Sequence, residues 1–272
     1  MSRMVRRVII ASIFLSFNAI VILSVYFLFL KPVETCFDGK ENQDEQGIDC
    51  GGICALACVE VVTGRDFEQK EVAFVPAGNG RYDVLAKIYN SNDTIGATAF
   101  SYTFELLDKS GQVLATRTGT NYILPQETKT ILELNLVTSS QPSRAQLRVT
   151  GVTWERLSGY RERPAVNIYE KRYGLTTAGF GYSEAFGLLS NESPYDFRSI
   201  IVKVILRDSA GRPVAMNTHE MRTVTAKESR DFKLVWPLPF AGEVAEIDME
   251  VDADVYHSEN FIQQYFPGGE IR

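Results

Sequence analysis

Histidine is nearly missing from this chain: among 272 residues there are two, His219 and His257, and neither has a motif around it. A Ser–His–Asp triad needs an imidazole between nucleophile and carboxylate, and zinc centres commonly take imidazole ligands, so this scarcity argues against both. No phosphate-cradling G-x4-G-K-[ST] loop occurs, nor H-E-x-x-H. Gly179 and Gly181 form a G-x-G without a strand–helix context, which reads as a bend at the start of a strand. Basic charge is short as well: 28 Lys and Arg stand against 34 Asp and Glu, for a net charge of −6. Phosphate backbones need a basic face, so the balance argues against nucleic acid as a partner. An enzyme is not expected.

What the chain does have begins with an apolar run, residues 8–30, that is free of formal charge. As a helix it rises about 34 Å, enough for a hydrocarbon core of roughly 30 Å. Arg3, Arg6 and Arg7 precede it with no acid, and Lys31, Pro32 and Glu34 follow it. The positive-inside rule then places residues 1–7 in the cytoplasm and everything after Lys31 outside, with the lipid bilayer as partner of residues 8–30. The run is longer than the apolar core of a signal peptide, and its outer end (Tyr26, Phe27, Phe29, Leu30) lacks the small residues of a cleavage site. Val33-Glu34-Thr35-Cys36 also lacks the small residue expected before a lipidated cysteine. Ala11, Ser12, Ser16 and Ala19 place small residues near one face, with Asn18 near mid-membrane. These fit either a self-association stripe or polar residues tolerated in a long span. Past the span, acids exceed bases by nine, which disfavours anionic lipid as a docking surface.

The four cysteines, Cys36, Cys50, Cys54 and Cys58, fall within 23 residues. In an oxidising compartment an even, clustered set reads as two disulfides, with three connectivities open. The C-x3-C-x3-C spacing is not that of zinc knuckles. Asp38, Asn42, Asp44, Glu45 and Asp49 interleave with Gly39, Gly47, Gly51 and Gly52. Hard oxygen ligands on a turning backbone suit calcium, the one cofactor this chain suggests. The other reading is that acids and glycines keep a stapled turn soluble. Cys36, Asp38, Gly39, Asn42, Glu45, Gly47, Asp49, Cys50, Gly51, Gly52 and Cys54 resemble a short cysteine-rich element of bacterial and archaeal surface proteins. That resemblance implies a cell-surface setting and no particular chemistry.

Beyond residue 60 short alternating runs recur between turn signals, as antiparallel strands do. Phe100, Tyr102, Phe104 and Leu106 alternate with Ser101, Thr103 and Glu105; Leu132, Leu134 and Leu136 alternate with Glu133 and Asn135. Positions about 100 residues apart match: Tyr82 with Tyr182, Asp108 with Asp208, Gly111 with Gly211. A repeat of this size holding six or seven strands has the dimensions of an immunoglobulin-like sandwich. In 108–111 and 208–211 the Asp caps a hairpin turn and the Gly takes a positive φ, so folding accounts for both. Phe104, Leu106, Asp108 and Gly111 resemble the F-x-L-x-D-x2-G core of the FxLyD family of extracytoplasmic sandwiches. In the second copy Val204, Leu206, Asp208 and Gly211 stand in those places. That resemblance implies a β-sandwich outside a membrane and no general activity.

The last strand presents Glu246, Asp248, Glu250, Asp252 and Asp254 on one face, whereas its counterpart in the first copy presents Arg144, Gln146 and Arg148. Like charges along a strand repel unless neutralised. Lys203, Arg207, Arg230 and Lys233 on neighbouring strands are candidates within the domain. The alternative is an interaction face, with the acids of one molecule meeting the basic face of another head to tail. Asn92-Asp93-Thr94 is a glycosylation sequon in an expected loop. The aromatic tail, Phe261 to Phe266, is expected to pack on the second sandwich, the alternative being a docking segment.

The expected fold class is all-β: two tandem immunoglobulin-like sandwiches behind an N-terminal transmembrane helix and a disulfide-rich stalk. The expected divisions are 1–7 cytoplasmic, 8–30 transmembrane, 31–59 stalk, 60–158 and 159–258 sandwiches, and 259–272 tail. The expected role is binding or scaffolding at the cell envelope, through an envelope protein or self-association. The alternative is an accessory subunit of a secretion, pilus or division complex held through its span.

Overall fold

The computed structural model describes residues 3–27, 35–56, 58 and 62–266. The expected outer end of the span, the stop at Pro32 and the end of the tail from Pro267 lie outside the described residues. The chain divides into two compact units, Met1–Val61 and Val62–Arg272.

In the first unit, α1 (Arg3–Val25) is one apolar helix with no buried residue. It is long and apolar enough to cross a membrane, as an anchor or as a signal sequence. Asn18 Nδ2 donates to the Phe14 carbonyl one turn back, at 2.8 Å. Residues 35–56 form a chain of turns closed by disulfides Cys36–Cys54 and Cys50–Cys58. The cysteines therefore pair first with third and second with fourth.

In the second unit, the first sandwich comprises β1 (Glu68–Gly78), β2 (Arg81–Tyr89), β3 (Ile95–Leu107), β4 (Val113–Ile123), β5 (Thr128–Val137) and β6 (Arg144–Arg156). The second comprises β7 (Val166–Leu175), β8 (Ser183–Asn191), β9 (Phe197–Arg207), β10 (Pro213–Val224), β11 (Ser229–Trp236) and β12 (Glu246–Ala253). The sheets run β1-β2-β5 and β4-β3-β6 in the first, and β7-β8-β11 and β10-β9-β12 in the second. Adding six to each strand number of the first sandwich gives the second.

The alternation in β3 puts Phe100, Tyr102, Phe104 and Leu106 inward against Val84, Ala86 and Ile88 of β2 and Ile131 of β5. Ile200, Val202, Val204 and Leu206 of β9 do the same against Leu189 of β8 and Phe232 and Leu234 of β11. Each such side chain, fully buried, contributes about 1.5–3 kcal/mol. The turns at Asp108 and Asp208 form as the residue types require. Asp108 Oδ1 accepts from the Ser110 and Gln112 N–H groups, and Asp208 Oδ1 from those of Ala210 and Arg212. Gly111 and Gly211 take φ of 87° and 75°.

Not every outer sheet face is wet. Val75 and Leu85 of the first sandwich pack with Ile205 and Met216 of the second in an apolar cluster of their own. Sheets β1-β2-β5 and β10-β9-β12 thus lie back to back. This explains why 83–86 and 202–207 are buried without alternation.

The segment set apart as a tail belongs to this second unit. Its described part forms α2 (Glu259–Tyr265), and Phe261 and Phe266 enter the second sandwich's core beside Leu157, Tyr160 and Tyr256.

Candidate functional site

The densest polar constellation lies at the seam between the sandwiches, where β12 meets the first sandwich. β12 pairs antiparallel with β9, and its even-numbered residues carry the acids. Asp252 is the centre. Its Oδ1 lies 2.8 Å from Lys129 Nζ of β5, and its Oδ2 lies 2.5 Å from Lys203 Nζ of β9. The Tyr122 hydroxyl, at the end of β4, donates to Asp252 Oδ1 at 2.7 Å. Lys129 Nζ also sits 3.3 Å from the centroid of the Tyr122 ring, and Lys203 Nζ donates to the Thr130 carbonyl. The side chains of Lys129, Lys203 and Asp252 are 2%, 6% and 9% exposed, so solvent screens these pairs little. Burial alone would raise the Asp252 carboxyl, but the charges and hydrogen bonds of Lys129 and Lys203 hold it well below the carboxylate range. Burial, reinforced by Asp252, pushes the Tyr122 hydroxyl well above its ordinary value.

Further along β12, Glu250 pairs with Lys87 of β2 at 2.7 Å. Asp248 lies 3.7 Å from both Lys87 and Arg207. Arg207 reaches across to Glu71 of β1 through two bonds of 2.9 and 3.0 Å. An open cleft of about 750 Å³ runs beside this network, between β5, β7 and β12. Its acids are already engaged: Glu250 and Asp252 by lysines, and Glu127 by the Leu124 N–H at 2.7 Å.

Three acids of this face, Asp248, Glu250 and Asp252, are therefore paired within the chain. The basic groups that meet Asp248, Glu250 and Asp252 come from the first sandwich of the same molecule and from β9. Lys203 and Arg207 take the neutralising role expected of them. Arg230 and Lys233 instead pair with Glu228 and Glu184. Glu246 is exposed at the start of β12, and Asp254 pairs with His257 Nδ1 at 2.7 Å. Lys87 and Lys129 were not singled out from the sequence. Their signal was a lysine beside the apolar run in VLAKIY and another beside that in TKTIL.

Of the five residues expected to suit calcium, Asp38, Asn42, Glu45 and Asp49 are joined to one another by hydrogen bonds. Asp49 accepts from the Asp38 and Gly39 N–H groups, and Glu45 Oε2 from those of Asn42 and Asp49. Asp38 accepts from Asn42 Nδ2 and the Lys40 N–H, and those bonds lower its pKa, the Asn42 bond foremost. Asp44, at φ 63°, serves a turn. Among the described residues the one group of three ligand-type side chains held within 4.8 Å is Cys36, Glu45 and Cys54, whose sulfurs are joined to each other.

Neither histidine sits in a catalytic arrangement. His219 stacks on Phe232, and although His257 pairs with Asp254, the neighbouring Ser258 hydroxyl donates to Asn260 instead. Asn92 of the sequon is 5% exposed, and its side-chain amide is bonded to Arg65 and Asn90. It is a structural residue, not an accessible acceptor.

No family model and no curated protein matches the chain. Among solved structures, red sea bream transglutaminase is similar over 71% of this chain and 29% of its own, at 12% identity and a TM-score of 0.22. The calcium binding domain CBD12 of CALX1.1 is similar over 60% of this chain and 74% of its own, at 11% identity and a TM-score of 0.18. Similarity at these values transfers neither activity nor ligand.

Proposed function

We propose that the protein is anchored by a single membrane span, keeps residues 1–7 in the cytoplasm, and holds two sandwiches outside as a binding or scaffolding element of the cell envelope, without catalysis. The observation that supports this best is the seam. Apolar packing and a buried charge network join the sandwiches face to face, so they act as one rigid element and not as beads on a hinge. The two disulfides suit an oxidising compartment. The matching strand order suits duplication of one ancestral sandwich of the FxLyD kind, with Phe104 and Leu106 in the core and Asp108 and Gly111 in the turn.

Two measurements test the reading. After reduction, a thiol reagent that cannot cross membranes labels the cysteines of residues 36–58 in intact cells; failure to label overturns the topology. Replacing residues 8–30 by an unrelated apolar helix leaves the crosslinked partners of the sandwiches unchanged. Loss of those partners favours the accessory-subunit reading, in which the span makes the specific contact.

A further inference from the structure

We propose that the stapled module at residues 35–56 rests on the lipid–water interface and inserts its apolar side chains there, an inference that presupposes the membrane span of the reading above. Phe37, Ile48, Ile53 and Leu56 are 87%, 61%, 68% and 63% exposed. The module has no core to receive them: its buried positions are Gly51 and Cys54. Carboxylates capping backbone N–H groups and two disulfides hold it together, so its own fold does not use the apolar side chains. Exposed apolar side chains gathered in one small element mark a contact with protein or membrane.

The course of the chain says which. The apolar run ends at residue 30, and Phe37 follows seven residues later, at most about 25 Å of extended backbone. Directly after α1 stands the edge-to-face pair Tyr26 and Phe27, ring types that favour the headgroup level. The staples draw the other apolar residues to the same place. Cys36–Cys54 joins the neighbour of Phe37 to the neighbour of Ile53, and the bond from the Asp38 N–H to Asp49 ties in the neighbour of Ile48. Residues 36–58 hold five acids against Lys40, so attraction to anionic lipid does not drive this contact. The surface it fits is a neutral or zwitterionic headgroup layer, entered by apolar burial.

The test places tryptophan at one site at a time in the full chain, reconstituted in phosphatidylcholine vesicles with and without brominated acyl chains. The native Trp154 and Trp236, both in the sandwiches, supply the background. Phe37→Trp and Ile53→Trp are expected to add blue-shifted emission that brominated lipid quenches, unaffected by salt and weakened when anionic lipid is mixed in. Phe17→Trp, within α1, reports the span itself. If Phe17→Trp is quenched while both module variants emit as in water, or are shielded without quenching as under a protein partner, the proposal is wrong and the anchor stands. If Phe17→Trp is not quenched, anchor and proposal fall together.

Discussion

Asp252 of the second sandwich and Lys129 of the first lie 2.8 Å apart with both side chains at least nine-tenths buried, and Lys203 closes on the other carboxylate oxygen. One carboxylate thus serves two ammonium groups from two sandwiches. Desolvating three charges is costly, and the arrangement is tolerable because Tyr122 and the Thr130 carbonyl supply further hydrogen bonds.

Asp252→Ala strands two buried lysines and is expected to lower unfolding stability by about 3–5 kcal/mol, a large part of a typical total. The triple replacement Lys129→Met, Lys203→Met, Asp252→Leu removes the charges together and is expected to be neutral or stabilising by about 1–4 kcal/mol. Urea unfolding followed by tryptophan fluorescence checks both. A triple variant as weak as the single one would mean that the charges themselves hold the seam.

Two aspartates give opposite pH dependences. Asp252 is depressed in the folded state, so its stabilisation is present above the ordinary carboxylate value and is lost as the pH falls below about 4. Asp83 is raised by burial from 3.8 to about 6, although it accepts the Asn135 N–H at 2.8 Å. Its folded form binds more protons than the unfolded one between those values, so stability declines as the pH rises through that window. Asp83→Asn keeps the acceptor. It is expected to stabilise by up to about 3 kcal/mol at pH 7 and by nothing at pH 3, measured as melting temperature against pH.

A matched pair of buried asparagines organises corresponding loops. Asn90 Nδ2 donates to the Ile95 and Leu124 carbonyls, each at 2.9 Å. Asn191 Nδ2 donates to the Tyr195 and Thr225 carbonyls at 2.8 and 2.9 Å. Alanine at either position leaves two carbonyls unpaired, with an expected loss of about 2–4 kcal/mol that is similar for the two. Denaturant midpoints test the equivalence; a neutral variant at one site would show that the two sandwiches differ there.

Reduction of Cys36–Cys54 and Cys50–Cys58 is expected to expose residues 36–58 to protease while leaving the sandwiches' melting temperature unchanged, because the two units are separately compact. Limited proteolysis with mass spectrometry, alongside calorimetry in reductant, reads both effects. A fall in the sandwich transition would contradict the independence.

Much of this was legible because it is local. Alternation in 100–106, the aspartate turns at 108 and 208 and the clustered cysteines each depend on residues within a few positions of one another. The calcium reading of Asp38 and Asp49 turns on a related point. A carboxylate capping backbone N–H groups and one binding a cation share a residue type, and only geometry separates them.

The sequence by itself determined the apolar helix, the presence of two sandwiches and the inward faces of their strands, because side-chain periodicity and turn chemistry act through near neighbours. It also determined that the acids of β12 had to be neutralised. Which bases would do so was decided only by the tertiary structure. Lys87 and Lys129 lie over 120 residues from the acids they meet, and nothing short of packing one sheet on another brings them there. The back-to-back contact of Leu85 with Ile205 belongs to the same class. The choice between a wet outer face and a shared dry one depends on what lies opposite, and the local pattern does not record that.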